Sequence, residues 1–194
     1  MGDAGGGDDE HAAAVTSGSM PSPLASGVVR AATADDAAAI AHIYNQGIEE
    51  RVATFETEPR TTEQMTAWLA ERAGRHPVVV VERAGAVVAW AAASLYRSRP
   101  CYAGVAEFSV YVDRAARGSG AGRVALGALI EECEAMGFWK LVSRVFPENA
   151  ASRALCRALG FREVGTYRRH ARLDGVWRDT VIVERLLGEA RLDD

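Results

Sequence analysis

Lysine is nearly missing from this chain. Lys140 is the single lysine among 194 residues, so almost all of the positive charge is arginine, whose planar fork suits bidentate contacts with phosphate and carboxylate. Basic residues are also outnumbered: 22 Lys and Arg against 26 Asp and Glu leave a formal net charge of −4, which argues against nucleic acid or an anionic membrane as a partner. Cysteine is scarce. Cys101, Cys133 and Cys156 are odd in number and lack metal-ligand spacing, the pattern of reduced thiols in a cytoplasmic protein without a metal. No apolar run approaches the roughly 20 residues of a membrane span, and the acidic start M-G-D-A-G-G-G-D-D-E lacks the hydrophobic core of a secretory signal. There is no internal repeat, and the G-K-[ST] ending of a nucleotide P-loop is absent.

What remains is globular in composition, 48% hydrophobic and 25% charged, and long enough for one domain with a real core. The expected division is a tail over 1–27, a folded domain over 28–188 and a short C-terminal tail over 189–194. The first segment is Gly, Ala, Ser and Asp with two prolines, and buries too little apolar surface to offset its ordering entropy.

Periodicity and punctuation then predict the elements. G-V-V-R-A-A-T reads as a short strand. Thr33 with Asp36 forms a capping box for a helix carrying Ile40, Ile43 and Tyr44 on one face, and Thr61 with Gln64 forms another for a helix bearing Met65, Trp68 and Leu69 that stops at Gly74. P-V-V-V-V-E, the turn R-A-G-A and V-V-A-W-A-A-A-S-L-Y read as a hairpin. A loop R-S-R-P-C-Y-A-G leads to the strand V-A-E-F-S-V-Y-V. A helix from about Ala121 to Met136, the strand K-L-V-S-R-V-F, a helix ending at Gly160 and two strands from about Arg162 and Asp179 complete the chain. The order β-α-α-β-β-β-α-β-α-β-β predicts an α/β class fold, a mixed sheet with helices on both faces.

The segment R-G-S-G-A-G, between a strand and a helix, holds three glycines in six residues. N–H groups at a helix start lack partners and carry about half a positive charge, so a strand–glycine turn–helix unit is a ready anion site. Arg117 and Arg123 bracket it. The spacing does not fit the G-x-G-x-x-G of a dinucleotide fold, and on the glycines alone a plain tight turn remains open.

R-x-x-G-x-G after V-Y-V, with N-x-x-S-x-x-L-x-x-x-L-G-F about 30 residues later, resembles the acyl-CoA-binding core of the GNAT N-acetyltransferase superfamily. I-Y-N-Q-G-I, A-T-F-E-T-E-P-R, Y-R-S-R-P-C-Y, E-F-S-V-Y-V and G-V-W-R-D resemble its phosphinothricin, methionine sulfone, methionine sulfoximine and arsinothricin acetyltransferases over roughly residues 28–187. The resemblance implies acetyl-CoA as donor and a small amino acid or glutamate-like toxin as acceptor, with toxin resistance as the consequence and a homodimer as the assembly. It assigns Arg117, Gly118, Ser119, Gly120, Ala121, Gly122 and Arg123 to the diphosphate. Val110, Tyr111 and Val112 are assigned to pairing with the pantetheine arm, Val110 N–H to the acetyl carbonyl, and Asn149 to a cofactor contact beside its plain role as a helix N-cap.

Acetyl transfer to an amine needs the ammonium proton removed. Glu107 stands between apolar neighbours, where burial shifts a carboxyl toward the operating range of a general base, and it matches the family's basic glutamate. The competing reading pairs it with Arg97 or Arg99. If that loop is extended, Arg97 and Arg99 flank Ser98 on one side and grip one anionic ligand. Phe55, Tyr102 and Tyr111 match aromatic positions near the acceptor, Phe55 also near a subunit boundary, and Ser98, Phe108 and Ser109 are expected to join them in binding it. Cys156 stands where the resemblance expects histidine or tyrosine, predicting a slower or retuned enzyme, and is not read as a nucleophile. His170 reads as a surface residue and Trp177 as a packing one. A protein or peptide N-acetyltransferase and a weakly catalytic acyl-CoA sensor remain the alternatives.

Overall fold

The computed structural model describes Met1 and residues 27–191, so most of the expected N-terminal tail and residues 192–194 lie outside the described residues. The elements are β1 (Val28–Ala31), α1 (Ala37–Glu50), α2 (Thr62–Arg72), β2 (Val78–Arg83), β3 (Ala86–Leu95), β4 (Val105–Val112), α3 (Ala121–Ala135), β5 (Lys140–Val145), α4 (Ala150–Ala158), β6 (Arg162–Leu173) and β7 (Val176–Leu186). Their order matches the order expected from the sequence. Gly188–Ala190, which straddle the expected boundary between the domain and the C-terminal tail, form a single 3-10 turn.

The sheet runs β1-β2-β3-β4-β5-β7-β6. Every neighbouring pair is antiparallel except β4 and β5, which are parallel. Successive side chains of a strand point to opposite faces, and the sequence uses both. Val78, Val80, Trp90 and Ala92 pack under α1 and α2 with Ile40, Ile43 and Met65. Val79, Val81, Ala89, Ala91 and Phe108 pack under α3 and α4 with Leu126, Leu129, Ile130 and Cys156. Helices therefore cover both faces, and a run such as V-V-V-V can be buried throughout. Among the described residues no helix is long and apolar enough to cross a membrane.

Local chemistry sets the boundaries. Both capping boxes form. Asp36 serves a second purpose, accepting two bonds from Arg30 of β1 at 2.7 and 2.8 Å and so tying the approach of α1 to the first strand. Ala84 and Gly85, both with positive φ (49° and 78°), close the β2–β3 hairpin as a two-residue turn. Asp174 and Gly175 (48° and 78°) close β6–β7 in the same way. That turn explains why β7 begins at Val176 rather than near Asp179. Trp177 corrects the expectation of a packing residue: it is exposed, with the Arg172 guanidinium 4.4 Å above its ring.

Candidate active site

The parallel pair β4 and β5 is joined at one end only. Gly104 O accepts from Trp139 N (2.8 Å) and Lys140 N (3.2 Å), and the ladder continues through Val105↔Lys140, Ala106↔Leu141 and Glu107↔Val142. Beyond Glu107 no further pairing holds the two strands together. On its other side β4 stays bonded to β3, and Asp113 N donating to Val88 O at 2.9 Å fixes the phase of that ladder. In an antiparallel ladder bonding alternates, so Glu107, Ser109 and Tyr111 direct their backbone groups to β3. Phe108, Val110 and Val112 direct theirs into the gap left by β5. Arg117 Nε donating to Val112 O at 3.4 Å is consistent with this phase. Of the three residues expected to pair with the cofactor arm, Val110 and Val112 turn their backbone into the gap, while the backbone of Tyr111 is turned to β3.

The gap holds a cavity of about 770 Å³ bordered by Glu107 to Tyr111, by the 53–58 loop including Phe55, and by Asn149 and Ser152 of α4. Phe108 borders it, but its ring packs into the core 4.7 Å from Phe161. Tyr111 stacks on Trp90 (4.8 Å) and meets Tyr44 edge-on (4.9 Å), in space that Gly47 leaves open: a Cβ there would lie 2.9 Å from the Tyr111 ring. Burial pushes both phenols above their ordinary range, so Tyr44 and Tyr111 stay protonated. Asn149 Oδ1 caps α4 by accepting from Ser152 N (3.0 Å), and its Nδ2 donates to Val52 O (3.2 Å).

The glycine segment lies past the open end of β4. Gly118 and Gly120 have φ of 75° and 84°, with nothing near a notional Cβ, so their backbone is bare to solvent. Gly122 has a different reason: a Cβ there would press on Val112 at 3.1 Å and Leu155 at 3.4 Å. The N–H groups of Gly118, Gly120, Ala121 and Gly122 find no acceptor among the described residues. Ser119 is already engaged, its Oγ accepting from Arg83 Nη1 at 2.7 Å and its carbonyl from Arg83 Nη2 at 3.3 Å. Arg117 is held by Glu50 at 2.9 Å, whereas Arg123 is exposed without an ion pair among the described residues.

Both the sequence and the overall fold are matched by known proteins. The model of the acetyltransferase (GNAT) family matches residues 40–161. This chain belongs to the GNAT family. It is 32% identical to a phosphinothricin N-acetyltransferase of Streptomyces coelicolor, over 82% of this chain and 95% of that one. It is also 32% identical to an L-methionine sulfoximine/L-methionine sulfone acetyltransferase of Salmonella typhimurium, over 86% and 98%. The crystal structure of a GNAT superfamily phosphinothricin acetyltransferase from Sinorhizobium meliloti, in complex with AcCoA, superposes with a TM-score of 0.80 at 34% identity, covering 85% of this chain and 90% of that one.

In this GNAT chain Glu107 is partly exposed (28%) and pairs with neither Arg97 nor Arg99. Its partner is Arg144, whose Nε and Nη2 both donate to Glu107 Oε1, the former at 3.1 Å. The register explains the meeting: Val142 is opposite Glu107, and Arg144 is two residues further on the same face. A second cavity of about 380 Å³ adjoins the first, with Arg97 and Tyr102 on its wall. Ser98 and Arg99 line neither cavity. Bends at Ser98 and Arg99, and a 3-10 turn over Pro100–Tyr102, break the two-residue alternation that would have aligned the arginines.

Several site residues escape a reading of sequence. Tyr44 reads only as part of a helix's buried face, and Ser143 and Arg144 only as a strand interrupted by polar residues. His170, exposed as expected, also borders both cavities. Cys156 borders neither; it is buried in the core, and burial pushes its thiol up to about 11. Among the described residues no cluster of three or more His, Cys, Asp or Glu could hold a metal.

Proposed function

We propose that this GNAT enzyme acetylates the α-amine of a small amino acid or glutamate analogue, of the phosphinothricin, arsinothricin or methionine sulfoximine/sulfone kind, by direct transfer with donor and acceptor bound together. The observation that carries this reading is the open side of β4. It runs from a carboxylate at Glu107, past the backbone of Val110 and the N–H of Val112, to the N–H groups of Gly118, Gly120, Ala121 and Gly122, which have no partner among the described residues. Acetyl-CoA, when bound, supplies a thioester whose carbonyl is open to attack by a neutral amine.

The chain's own groups divide the work. Gly118, Gly120, Ala121 and Gly122 offer N–H groups at the positive end of α3 to the diphosphate, with Arg123 free to add charge. Val110 and Val112 pair with the pantetheine arm as a missing β5 would. Val110 N–H polarises the acetyl carbonyl where negative charge develops. Glu107 accepts the ammonium proton, directly or through water. Arg97, with Tyr102 beside it, meets the far end of an acidic acceptor from the second cavity.

Exposed Val164, Tyr167, Val176 and Trp177 on the β6–β7 hairpin support a homodimer, which light scattering would read as twice 20.7 kDa. A single-chain mass would remove that part of the proposal. The reaction is tested by following thiol release from acetyl-CoA against a panel of free amino acids, glutamate analogues and peptides. Glu107→Gln is expected to bind acetyl-CoA normally and lose roughly 100-fold or more in kcat, the usual contribution of a positioned base. Unchanged turnover would remove Glu107 from that role.

A further inference from the structure

We propose that Arg144 recognises the α-carboxylate of the acceptor and, by exchanging partners, releases Glu107 for its role as base. The inference rests on the function proposed above and adds a requirement: the acceptor is a free amino acid, not the N-terminus of a peptide.

Four residues border both cavities: Glu107, Ser143, Arg144 and His170. Among them Glu107 is the one carboxylate and Arg144 the one permanent cation. The ion pair between them therefore stands where a ligand spanning the two cavities must pass. It is held lightly. Both donors of Arg144 reach Oε1, so Oε2 and Nη1 have no partner among the described residues, and the side chains are 28% and 45% exposed. A fork-to-fork pair, with two parallel bonds to two oxygens, is the stronger arrangement, and a carboxylate arriving on Nη1 and Nη2 could adopt it.

The geometry of an amino acid makes the exchange self-consistent. Its ammonium and α-carboxylate share one carbon, so an ammonium beside Glu107 brings the carboxylate beside whatever cation Glu107 already holds. That cation is Arg144. The other basic groups on these walls are differently placed. Lys140 is bound to buried Glu184, whose carboxyl burial would raise but Lys140 and Arg162 hold below its usual range. Arg97 lies on the second cavity alone, 5.3 Å from the Tyr96 ring, suited to the far end of the ligand. An amide or peptide amine brings no charge to Arg144, leaves the ion pair closed and keeps Glu107 occupied.

The experiment compares phosphinothricin and methionine sulfone with their α-carboxamides, using wild type, Arg144→Ala and Arg144→Lys. Wild type is expected to favour each amino acid over its amide by roughly 30- to 100-fold in kcat/KM, the scale of a lost charge-assisted pair. Arg144→Ala should collapse that ratio to near unity while leaving the KM for acetyl-CoA unchanged, and Arg144→Lys, with charge but no fork, should recover part of it. If Arg144→Ala does not fold, Arg144→Gln is read in its place. Equal use of acid and amide by wild type, or an unchanged preference in the variants, overturns the proposal and leaves the acetyltransferase reading standing. No turnover of any amine by wild type overturns both.

Discussion

At the residue scale, each functional position carries one physical demand. Gly118 and Gly120 are required by positive φ in open space, Gly122 by contact with Val112 and Leu155, so three alternating glycines answer to two causes. The cysteines divide as sharply. Cys101 is exposed, whereas burial pushes the Cys133 thiol up to about 12 and Cys156 up to about 11. A disulfide reagent at pH 8 is therefore expected to label Cys101 rapidly and the other two only on unfolding. Rapid labelling of Cys156 would show it open to the site and revive it as a participant. The glycine segment and Glu107 were visible in the sequence as candidates because their signals are local. The pairing of Glu107 with Arg144 was not, since the partners are 37 residues apart and meet only through the β4–β5 register.

At the element scale, the site depends on two strands joined at one end and parted at the other. Gly104 and Trp139 make the joint, and a Cβ on residue 104 would fall inside the Trp139 ring. Gly104→Ala is expected to cost about 2 kcal/mol or more in denaturant unfolding, as overpacking does. It should also lower turnover by shifting β5 against β4. Wild-type stability in that variant would mean Trp139 swings away freely and the joint is not where the strands are fixed. Element order was legible from capping boxes, glycine stops and alternating apolar runs. The alternation of the R-x-R loop is not realised, because period two requires extended backbone and bends at Ser98 and Arg99 deny it. The start of β7 is set by the Asp-Gly turn at 174–175, whose positive φ angles close the hairpin earlier than the apolar pattern from Asp179 implies.

At the scale of the whole molecule, the first strand and first helix are fastened by charge. Asp36 is buried, and hydrogen bonds from Arg30 hold its carboxyl below the usual carboxylate range. A folded value below the unfolded one means that this stabilisation is complete above the unfolded pKa. It is lost as pH falls through the folded value. Wild type should thus lose stability steadily under acid, and Asp36→Asn should lose about 2 kcal/mol at pH 7 while showing a flatter acid dependence. Parallel acid profiles for the two proteins would contradict that assignment.

The cleft between β4 and β5 also makes a position-by-position claim that amide hydrogen exchange reads directly. Adding acetyl-CoA should slow exchange at Val110, Val112, Gly120, Ala121 and Gly122, whose N–H groups lack acceptors among the described residues, and change Ser109 and Tyr111 little because β3 already holds them. Measurable binding with protection confined to other segments, or protection of Ser109 and Tyr111 in preference to Val110 and Val112, would contradict the account.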